Sequence, residues 1–367
     1  MRRPLVVRFG ALGDMVLMTV AIRALHERLG EPVDVLGSGA WTRPLLEGQR
    51  GVGDLYLMGS RHRPYWLAAD QWRLVRDLRR RGAGPTWLFD AQNERTRGLL
   101  QRAGWGEENL VTLEQLADIP GEHFCDHWWR FAQLDPLSLG GRQHAGSGPP
   151  AYPELRVSAE ARAEVRRWLE QRGLSERPIL LIQIGNKRTM RRGPFDRPSN
   201  TKYWPEGHWA SLLRELQALH PEHVLLMLGV ASEAPLNDAV LARAQLSASL
   251  NLAREMSVPR LMGLAERAAG MISVDTGPAH VAAALGCPLL TLFDSESKAR
   301  MYAPRGPGGT CLRILVSRDA QPALLGITPQ DVLAVWREMR LRSGEPAEGT
   351  AKGTLTNAIA SQGAAGR

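Results

Sequence analysis

Apolar segments and helical repeats alternate along the first part of the chain. Residues 4–9 are apolar apart from Arg8, and a glycine-containing turn follows them. Residues 16–25 then repeat apolar positions at helical spacing. Similar short apolar runs occupy residues 33–36, 55–58 and 86–89, with helical patterns between them, including residues 65–80. This alternation predicts a parallel α/β sheet.

A second alternating pattern follows a segment of linker composition. Residues 137–153 are rich in glycine, serine and proline, which is typical of a linker. Apolar runs then predict strands at residues 178–184, 224–228, 271–274 and 289–293. Helical spacing predicts helices at residues 159–171, 209–219, 258–269, 278–285 and 329–341. We therefore predict two α/β domains, residues 1–155 and 156–342, and a disordered tail at residues 343–367.

Composition agrees with a two-domain globular protein. The chain has 367 residues, of which 44% are hydrophobic and 23% are charged. Its cysteines, Cys125, Cys287 and Cys311, are far apart and have neither the spacing of a disulfide framework nor that of a metal site. A reducing, cytoplasmic location fits this usage. No apolar stretch reaches the roughly 18–20 residues of a membrane span, so we expect no transmembrane helix.

The net charge of +8 is concentrated in two short segments. Residues 61–81 carry seven arginines and two aspartates, and residues 186–202 carry six basic residues and one aspartate. Codon usage in a GC-rich genome would explain a general excess of arginine over lysine, but not this clustering. The two segments indicate a phosphate-bearing partner or an anionic membrane surface.

The segment SVDTGPAH, residues 273–280, has the pattern of an anion-binding turn between a strand and a helix. The strand ends at Val274, Thr276 or Gly277 suits the helix N-cap, and a proline suits the first helical position. Free amide groups and the helix dipole would then face a ligand such as a pyrophosphate. Asp275 is suited to accept hydrogen bonds from sugar hydroxyls. The alternative is an ordinary capped turn without a ligand.

Two further residues carry candidate chemistry. Asp14 begins a helix after a G-x-x-G turn that lacks the dinucleotide-binding spacing, and it is a candidate general base. The alternative is a carboxylate that only stabilises the helix start. Lys202, one of four lysines, precedes a Trp-Pro helix entry and could bind a phosphate as a point charge. The alternative is a solvated lysine.

Three blocks of sequence resemble glycosyltransferase family 9, the bacterial heptosyltransferases of lipopolysaccharide core synthesis. They are RFGALGDMVLMTVAIRAL at residues 8–25, TKYWPEGHW at residues 201–209 and SVDTGPAHVAAALGCPLLTLF at residues 273–293. The resemblance implies a GT-B fold, in which two Rossmann-like domains with parallel sheets face a central cleft. It also implies acceptor binding by the first domain and nucleotide-sugar binding by the second. The implied reaction transfers heptose from ADP-heptose with inversion and needs neither a metal nor another cofactor.

The same resemblance implies roles for individual residues. Asp14 matches the catalytic base, and Lys202 matches the lysine that contacts the donor phosphate and sugar. The remaining donor-site matches are Asp275, Thr276, Gly277 and His280 in the donor loop, Glu233 at the ribose and Met256 beside the adenine. The basic cluster that begins at Lys187 is suited to a leaving diphosphate. This chain departs from the family in a longer basic stretch before Lys202 and in an Asp-Ser pair at residues 294–295.

The acceptor side is also expected to be basic. Arg61 and Arg63 resemble the basic stretch that meets a phosphorylated acceptor in this family, and Gly13 lies in the matching first block. The pattern of residues 65–80 predicts an amphipathic helix with Leu67, Leu74, Val75 and Leu78 on one side and Arg73, Arg76 and Arg80 on another. We therefore expect the protein to meet a lipid-linked acceptor by peripheral association with the inner face of the cytoplasmic membrane.

Two other functions remain open on the sequence. One is transfer of a different sugar from another nucleotide donor, or to another acceptor. The other is a non-catalytic anion-binding protein, which the basic charge would allow. A nucleic-acid partner is not expected, because the chain has no helix-turn-helix, zinc-finger or RNP pattern.

Overall fold

The first half of the chain folds around a five-stranded parallel sheet. In the computed structural model, the described residues are 2–60, 63–89, 94–144, 151–186, 189, 200–246, 249–317 and 323–342. The strands are β1 (Leu5–Val7), β2 (Val33–Gly37), β3 (Val52–Leu57), β4 (Thr86–Leu88) and β5 (Leu110–Thr112), in the spatial order β3-β2-β1-β4-β5. The helices are α1 (Leu12–Leu29), α2 (Thr42–Leu46), α3 (Ala69–Arg81), α4 (Glu94–Arg102) and α5 (Phe124–Phe131).

Helices cover both faces of this sheet. Val6 of β1 belongs to one buried apolar cluster, whereas its neighbours Leu5 and Val7 belong to another. Because successive side chains of a strand point to opposite faces, the two clusters lie on opposite sides of the sheet. Burial on both faces explains why the predicted strands are continuous apolar runs.

The second half repeats this architecture with six parallel strands. They are β6 (Ile179–Gln183), β7 (Val224–Met227), β8 (Leu250–Asn251), β9 (Gly270–Val274), β10 (Leu289–Phe293) and β11 (Leu312–Val316), in the order β11-β10-β9-β6-β7-β8. The helices are α6 (Ala159–Glu170), α7 (Glu206–Leu219), α8 (Ala234–Ala244), α9 (Val258–Arg267), α10 (Gly277–Ala284), α11 (Glu296–Tyr302) and α12 (Pro329–Arg337). This is the strand order of the Rossmann fold, and the prediction of two Rossmann-like α/β domains is confirmed.

The strand order fixes where ligands bind. In each sheet the order reverses between two central strands, β1 and β4 in the first and β6 and β9 in the second. Ligands of open α/β sheets bind at the carboxyl ends of the strands at such a reversal. Helices α1 and α10 begin at these two places and pack against each other. One continuous apolar cluster includes residues of both helices, so the two sheets share a core.

The predicted strands and most of the predicted helices are confirmed, but one helix differs. Residues 65–80 do not form a single helix: a 3₁₀ turn, Tyr65–Leu67, precedes α3, which begins at Ala69. The prediction that Leu67 shares the apolar side of this helix was wrong, because Leu67 precedes the helix and is 56% exposed. The last helix ends at Arg337, before residue 341. The predicted tail lies outside the described residues.

Candidate active site

Asp14 stands at the first turn of α1 with its carboxylate held on two sides. Its Oδ2 accepts a hydrogen bond of 2.8 Å from the amide of Ala11, and its Oδ1 lies 3.1 Å from Nη2 of Arg8. A Cβ at Gly10 would lie 2.4 Å from the Cβ of Asp14, so only glycine fits that turn. The carboxylate side chain remains 40% exposed, which leaves it accessible from the cleft.

The amino end of α10 lies against the amino end of α1. Thr276 is the N-cap of α10, but its side chain does not cap the first amide groups. A Cβ at Gly277 would lie 2.9 Å from the Cβ of Leu12, and a Cβ at Gly13 would lie 3.0 Å from Cδ2 of His280. The two glycines therefore allow the two helix ends to approach closely. Both positive helix ends point into one cleft, which favours an anionic ligand there.

Lys202 and Asp275 form an ion pair at the carboxyl edge of the second sheet. Nζ of Lys202 lies 2.5 Å from Oδ2 of Asp275, whose side chain is only 11% exposed. Nε2 of His280 lies 4.0 Å from the other oxygen of that carboxylate. The sequence analysis predicted these three residues as one site, and the structure brings them together.

The imidazole of His280 is buried, and its surroundings favour the neutral form. Burial lowers its pKa; the carboxylate of Asp275 opposes this shift, and the charge of Lys202 adds to it. In the described residues, Nδ1 of His280 has no hydrogen-bond partner. Gly13 of α1 lies directly beside this imidazole, and the charge of Asp14 slightly opposes the lowering of its pKa.

Glu233 and Met256 lie along the same edge of the second sheet. Glu233 is buried, and its Oε2 accepts a hydrogen bond of 2.9 Å from the amide of Val230. Burial raises its pKa, and its Oε1 has no hydrogen-bond partner among the described residues. Met256 is partly buried just before α9 and packs on the core. An unpartnered buried oxygen of this kind suits a ligand hydroxyl.

The residues predicted for the acceptor side differ in their surroundings. Gly13 is buried at the contact between α1 and α10, and Arg63 is exposed in the segment between β3 and α3. Arg61 and Lys187 lie outside the described residues, as does most of the basic stretch before Lys202.

Three residues at the site were missed by sequence reasoning. Burial raises the pKa of Tyr302, and the charges of Asp14 and Asp275 raise it further. Its ring stacks on that of Phe124, with the centroids 4.6 Å apart. Lys298 pairs with Asp294 and lies 3.2 Å from Oγ1 of Thr201, beside Lys202. Arg8 offered a signal, because an arginine in a buried strand needs a partner. The other two offered none, since distant parts of the chain bring them to the site.

One group of described residues outside this site could hold a metal ion. His220, Glu222 and His223 offer ligand atoms within 4.8 Å of one another. They precede β7 and so lie at the opposite edge of the sheet from Asp275. The indole of Trp336 already donates a hydrogen bond of 3.1 Å to Nε2 of His220. Separately, none of the helices in the described ranges has the length and apolar character needed to cross a bilayer.

Solved structures with the same architecture identify the fold. The structure of E. coli ADP-heptose LPS heptosyltransferase II superposes with a TM-score of 0.71 at 22% identity, covering 91% of this chain and 97% of that one. A family 9 glycosyltransferase from Veillonella parvula superposes with a TM-score of 0.72 at 16% identity, covering 92% and 96%. The chain therefore has the GT-B fold of these structures.

Sequence comparison finds similarity to one family of glycosyltransferases. The sequence profile of glycosyltransferase family 9 (heptosyltransferase) matches residues 147–321. Lipopolysaccharide heptosyltransferase 2 of Salmonella typhimurium is 25% identical over 344 residues, covering 88% of this chain and 94% of that protein. Its counterpart from E. coli K12 is 24% identical over the same shares. These matches confirm the resemblance to glycosyltransferase family 9 that the three sequence blocks indicated.

Proposed function

We propose that this protein transfers heptose from ADP-heptose to a lipopolysaccharide core or another lipid-linked acceptor. The observation that carries the proposal is the opposition of Asp14, at the start of α1, to the Lys202–Asp275 pair at the start of α10. The names of the curated relatives, both lipopolysaccharide heptosyltransferases, support the choice of sugar and acceptor. In this proposal residues 1–155 bind the acceptor and residues 156–342 bind the donor.

The donor's diphosphate binds at the amino end of α10 in this proposal. Lys202 and the amide groups around Thr276 and Gly277 neutralise its charge. Asp275 and His280 contact the sugar side of the same loop, and Glu233 binds the ribose through its unpartnered oxygen. Met256 lies beside the adenine, and Lys187 adds positive charge near the phosphates.

The reaction we infer is a single displacement with inversion. Asp14 accepts the proton of an acceptor hydroxyl as its oxygen bonds to the anomeric carbon of the sugar. The bond from that carbon to the diphosphate oxygen breaks, and ADP leaves with the bonding pair. Lys202 and the dipole of α10 stabilise the charge that develops on the diphosphate, so no divalent metal is required.

The acceptor side of the proposal is electrostatic. Gly13 lets the acceptor approach Asp14, and Arg61 and Arg63 bind its phosphate groups. With Arg73 and Arg76, these arginines attract the protein to the anionic inner face of the cytoplasmic membrane, where a lipid-linked acceptor resides. Each basic residue near such a surface contributes about 1 kcal/mol. The protein is accordingly proposed to be cytoplasmic and peripherally bound.

A donor screen tests this function. The unfolding temperature is measured with ADP-, GDP-, UDP- and dTDP-linked sugars, because a ligand that binds only the folded state stabilises it. We expect ADP-heptose to give the largest rise and to be consumed in the presence of a lipopolysaccharide core acceptor. A larger rise with another nucleotide sugar would favour the alternative donor. No rise with any of them, together with anion retention, would favour a non-catalytic anion-binding protein.

A further inference from the structure

Three large apolar side chains are exposed within seven consecutive residues at the start of α3. Trp66 is 69% exposed, Leu67 is 56% exposed and Trp72 is 50% exposed. All eleven tryptophans of the chain lie in the described ranges, and these two alone are exposed. The other exposed large apolar residues of the described chain lie singly. A cluster of this kind on a water-soluble surface indicates an interaction site.

The exposed side chains stand on a rigid base. Asp70 accepts a hydrogen bond of 2.7 Å from the amide of Ser60, and its Oδ1 pairs with the hydroxyl of that residue. Buried Gln71 donates a bond of 2.9 Å to the carbonyl of Ser60. The rings of Tyr65 and Trp72 meet edge to face at 6.4 Å. The fold therefore holds these apolar side chains in an exposed arrangement. Their binding to a partner costs little further conformational entropy.

Arginines surround the apolar cluster. Arg63 and Arg73 are exposed, and the side chains of Arg76 and Arg80 are 60% and 72% exposed. Asp77 contacts the last two at 3.6 and 3.9 Å, but exposed pairs of this kind bind weakly. Tryptophan and leucine beside cations match the interface of an anionic bilayer, where indoles sit among the headgroups and guanidinium groups meet phosphates.

The apolar cluster and Asp14 lie at the same edge of the first sheet. The cluster follows the carboxyl end of β3, and Asp14 follows the carboxyl end of β1 in the same parallel sheet. Both therefore lie at one edge of that sheet. A bilayer bound at the cluster would lie beside the entrance that a lipid-linked acceptor must use.

We propose that Trp66, Leu67 and Trp72 form an apolar anchor that inserts into the interface of an anionic membrane. Arg63, Arg73, Arg76 and Arg80 bind the lipid phosphates around this anchor. The inference rests on the proposed function in one respect, namely that the acceptor resides in a bilayer. The anchor adds an apolar contact with the membrane to the electrostatic attraction of the arginines. Salt screens the electrostatic attraction but not the apolar contact.

The test measures sedimentation with vesicles of phosphatidylethanolamine and phosphatidylglycerol at low salt and at about 1 M salt, where the screening length is about 3 Å. We expect the wild type to keep measurable binding at high salt. The triple variant Trp66→Ser, Leu67→Ser, Trp72→Ser should bind about tenfold or more weakly at low salt and not detectably at high salt. Arg63→Gln, Arg73→Gln, Arg76→Gln should lose affinity at low salt only.

The control is Ile119→Ser, Leu137→Ser, Ile314→Ser, which removes apolar residues that are exposed elsewhere. It should bind vesicles as the wild type does. Equal vesicle binding by the Trp66 triple variant would overturn the proposal. The proposal would also be overturned if the triple variant changed only in oligomeric state. That result would mean that a second copy of the chain, and not a membrane, covers the exposed apolar residues. ADP binding measured without vesicles tests the proposed function separately, since the anchor plays no part in it.

Discussion

At the scale of single residues, the ion pair between Lys202 and Asp275 constrains the donor site most strongly. The carboxylate is largely withdrawn from water and lies between a lysine and the neutral imidazole of His280. A carboxylate in such surroundings needs its cation, because an unpaired buried charge is costly. A diphosphate that enters the site therefore meets a lysine already fixed in place, which reduces the entropy lost on binding.

Replacing Lys202 with alanine should weaken ADP binding about tenfold or more, because a hydrogen bond to a charged group contributes roughly 1.5–3 kcal/mol. Titration calorimetry with ADP measures this change, and a thermal melt confirms that the variant is folded. Arg166→Ala removes an exposed cation from α6 and should leave the affinity unchanged. Unchanged ADP affinity in the Lys202 variant would mean that the diphosphate binds elsewhere.

Some residues of the site could be predicted from the sequence, and others could not. Asp14, Lys202 and Asp275 stand at ends of predicted elements, where polar chemistry is visible in the pattern. Tyr302 and Lys298 could not be predicted, because folding brings α11 to the site from distant parts of the sequence: Lys298 contacts Thr201, which lies 97 positions away. The contact between Arg8 and Asp14 is local, but its geometry depends on the glycine turn between them.

At the scale of elements, the site depends on two helix ends that pack glycine against glycine. A side chain on Gly277 would press on the backbone of α1, since its Cβ would lie 3.0 Å from the amide nitrogen of Gly13. Backbone cannot yield as a flexible side chain can. The absence of a side chain at Gly277 therefore explains both the close contact between the two helices and the open approach to the amino end of α10.

Gly277→Ala should lower the free energy of unfolding by about 1–3 kcal/mol through overpacking, and should weaken ADP binding as well. Chemical denaturation and calorimetry measure the two effects. The control is Gly98→Ala in α4, where the new Cβ would meet only the flexible end of Arg102 at 3.2 Å. That change should stabilise the protein by about 0.5–1 kcal/mol. A neutral effect at Gly277 would contradict the close helix contact.

Elements that the sequence did not predict are short or partly exposed. Strands β5 and β8 have three and two residues, too few to show a period. Strand β11 is an edge strand with exposed positions that include Arg313. Helix α5 is eight residues rich in aromatic side chains, which favour helices weakly. Helical spacing predicted Leu67 on an apolar face, but spacing alone cannot distinguish a buried apolar position from an exposed one.

At the scale of the whole molecule, a second contact joins the two halves beside the active site. Nε2 of His123, the N-cap of α5, lies 2.8 Å from the carbonyl of Ala303, and its Nδ1 accepts a bond of 3.1 Å from Cys125. Arg305 forms a two-pronged ion pair with Asp126 nearby. The imidazole must be neutral, with its proton on Nε2, to make both bonds.

This contact makes stability depend on pH. Burial lowers the pKa of His123 from 6.5 to about 4, and the charge of Arg305 adds to this effect. The unfolded chain therefore binds a proton first, so stability is full above pH 6.5 and is lost as the pH falls towards 4. We expect His123 to account for about 2 kcal/mol of lost unfolding free energy between about pH 7 and about pH 5.

The matched variant is His123→Asn, since asparagine keeps the N-cap and does not titrate. Urea denaturation at several pH values should show a shallower loss in the variant than in the wild type. Because other buried histidines titrate in both proteins, the difference between the two curves isolates His123. Parallel curves would contradict a neutral, buried imidazole at this contact.

In the proposed reaction, the cleft between the two sheets holds the donor and the acceptor, and Asp14 acts as the general base. The most direct measurement is the turnover of ADP-heptose with a lipopolysaccharide core acceptor by the wild type and by Asp14→Asn. Asparagine keeps the size of the side chain and an oxygen to accept from Ala11, so the fold should persist. We predict a loss of about 10²–10⁴-fold in turnover with unchanged ADP affinity. Turnover near that of the wild type in Asp14→Asn would contradict the role of Asp14 as the general base.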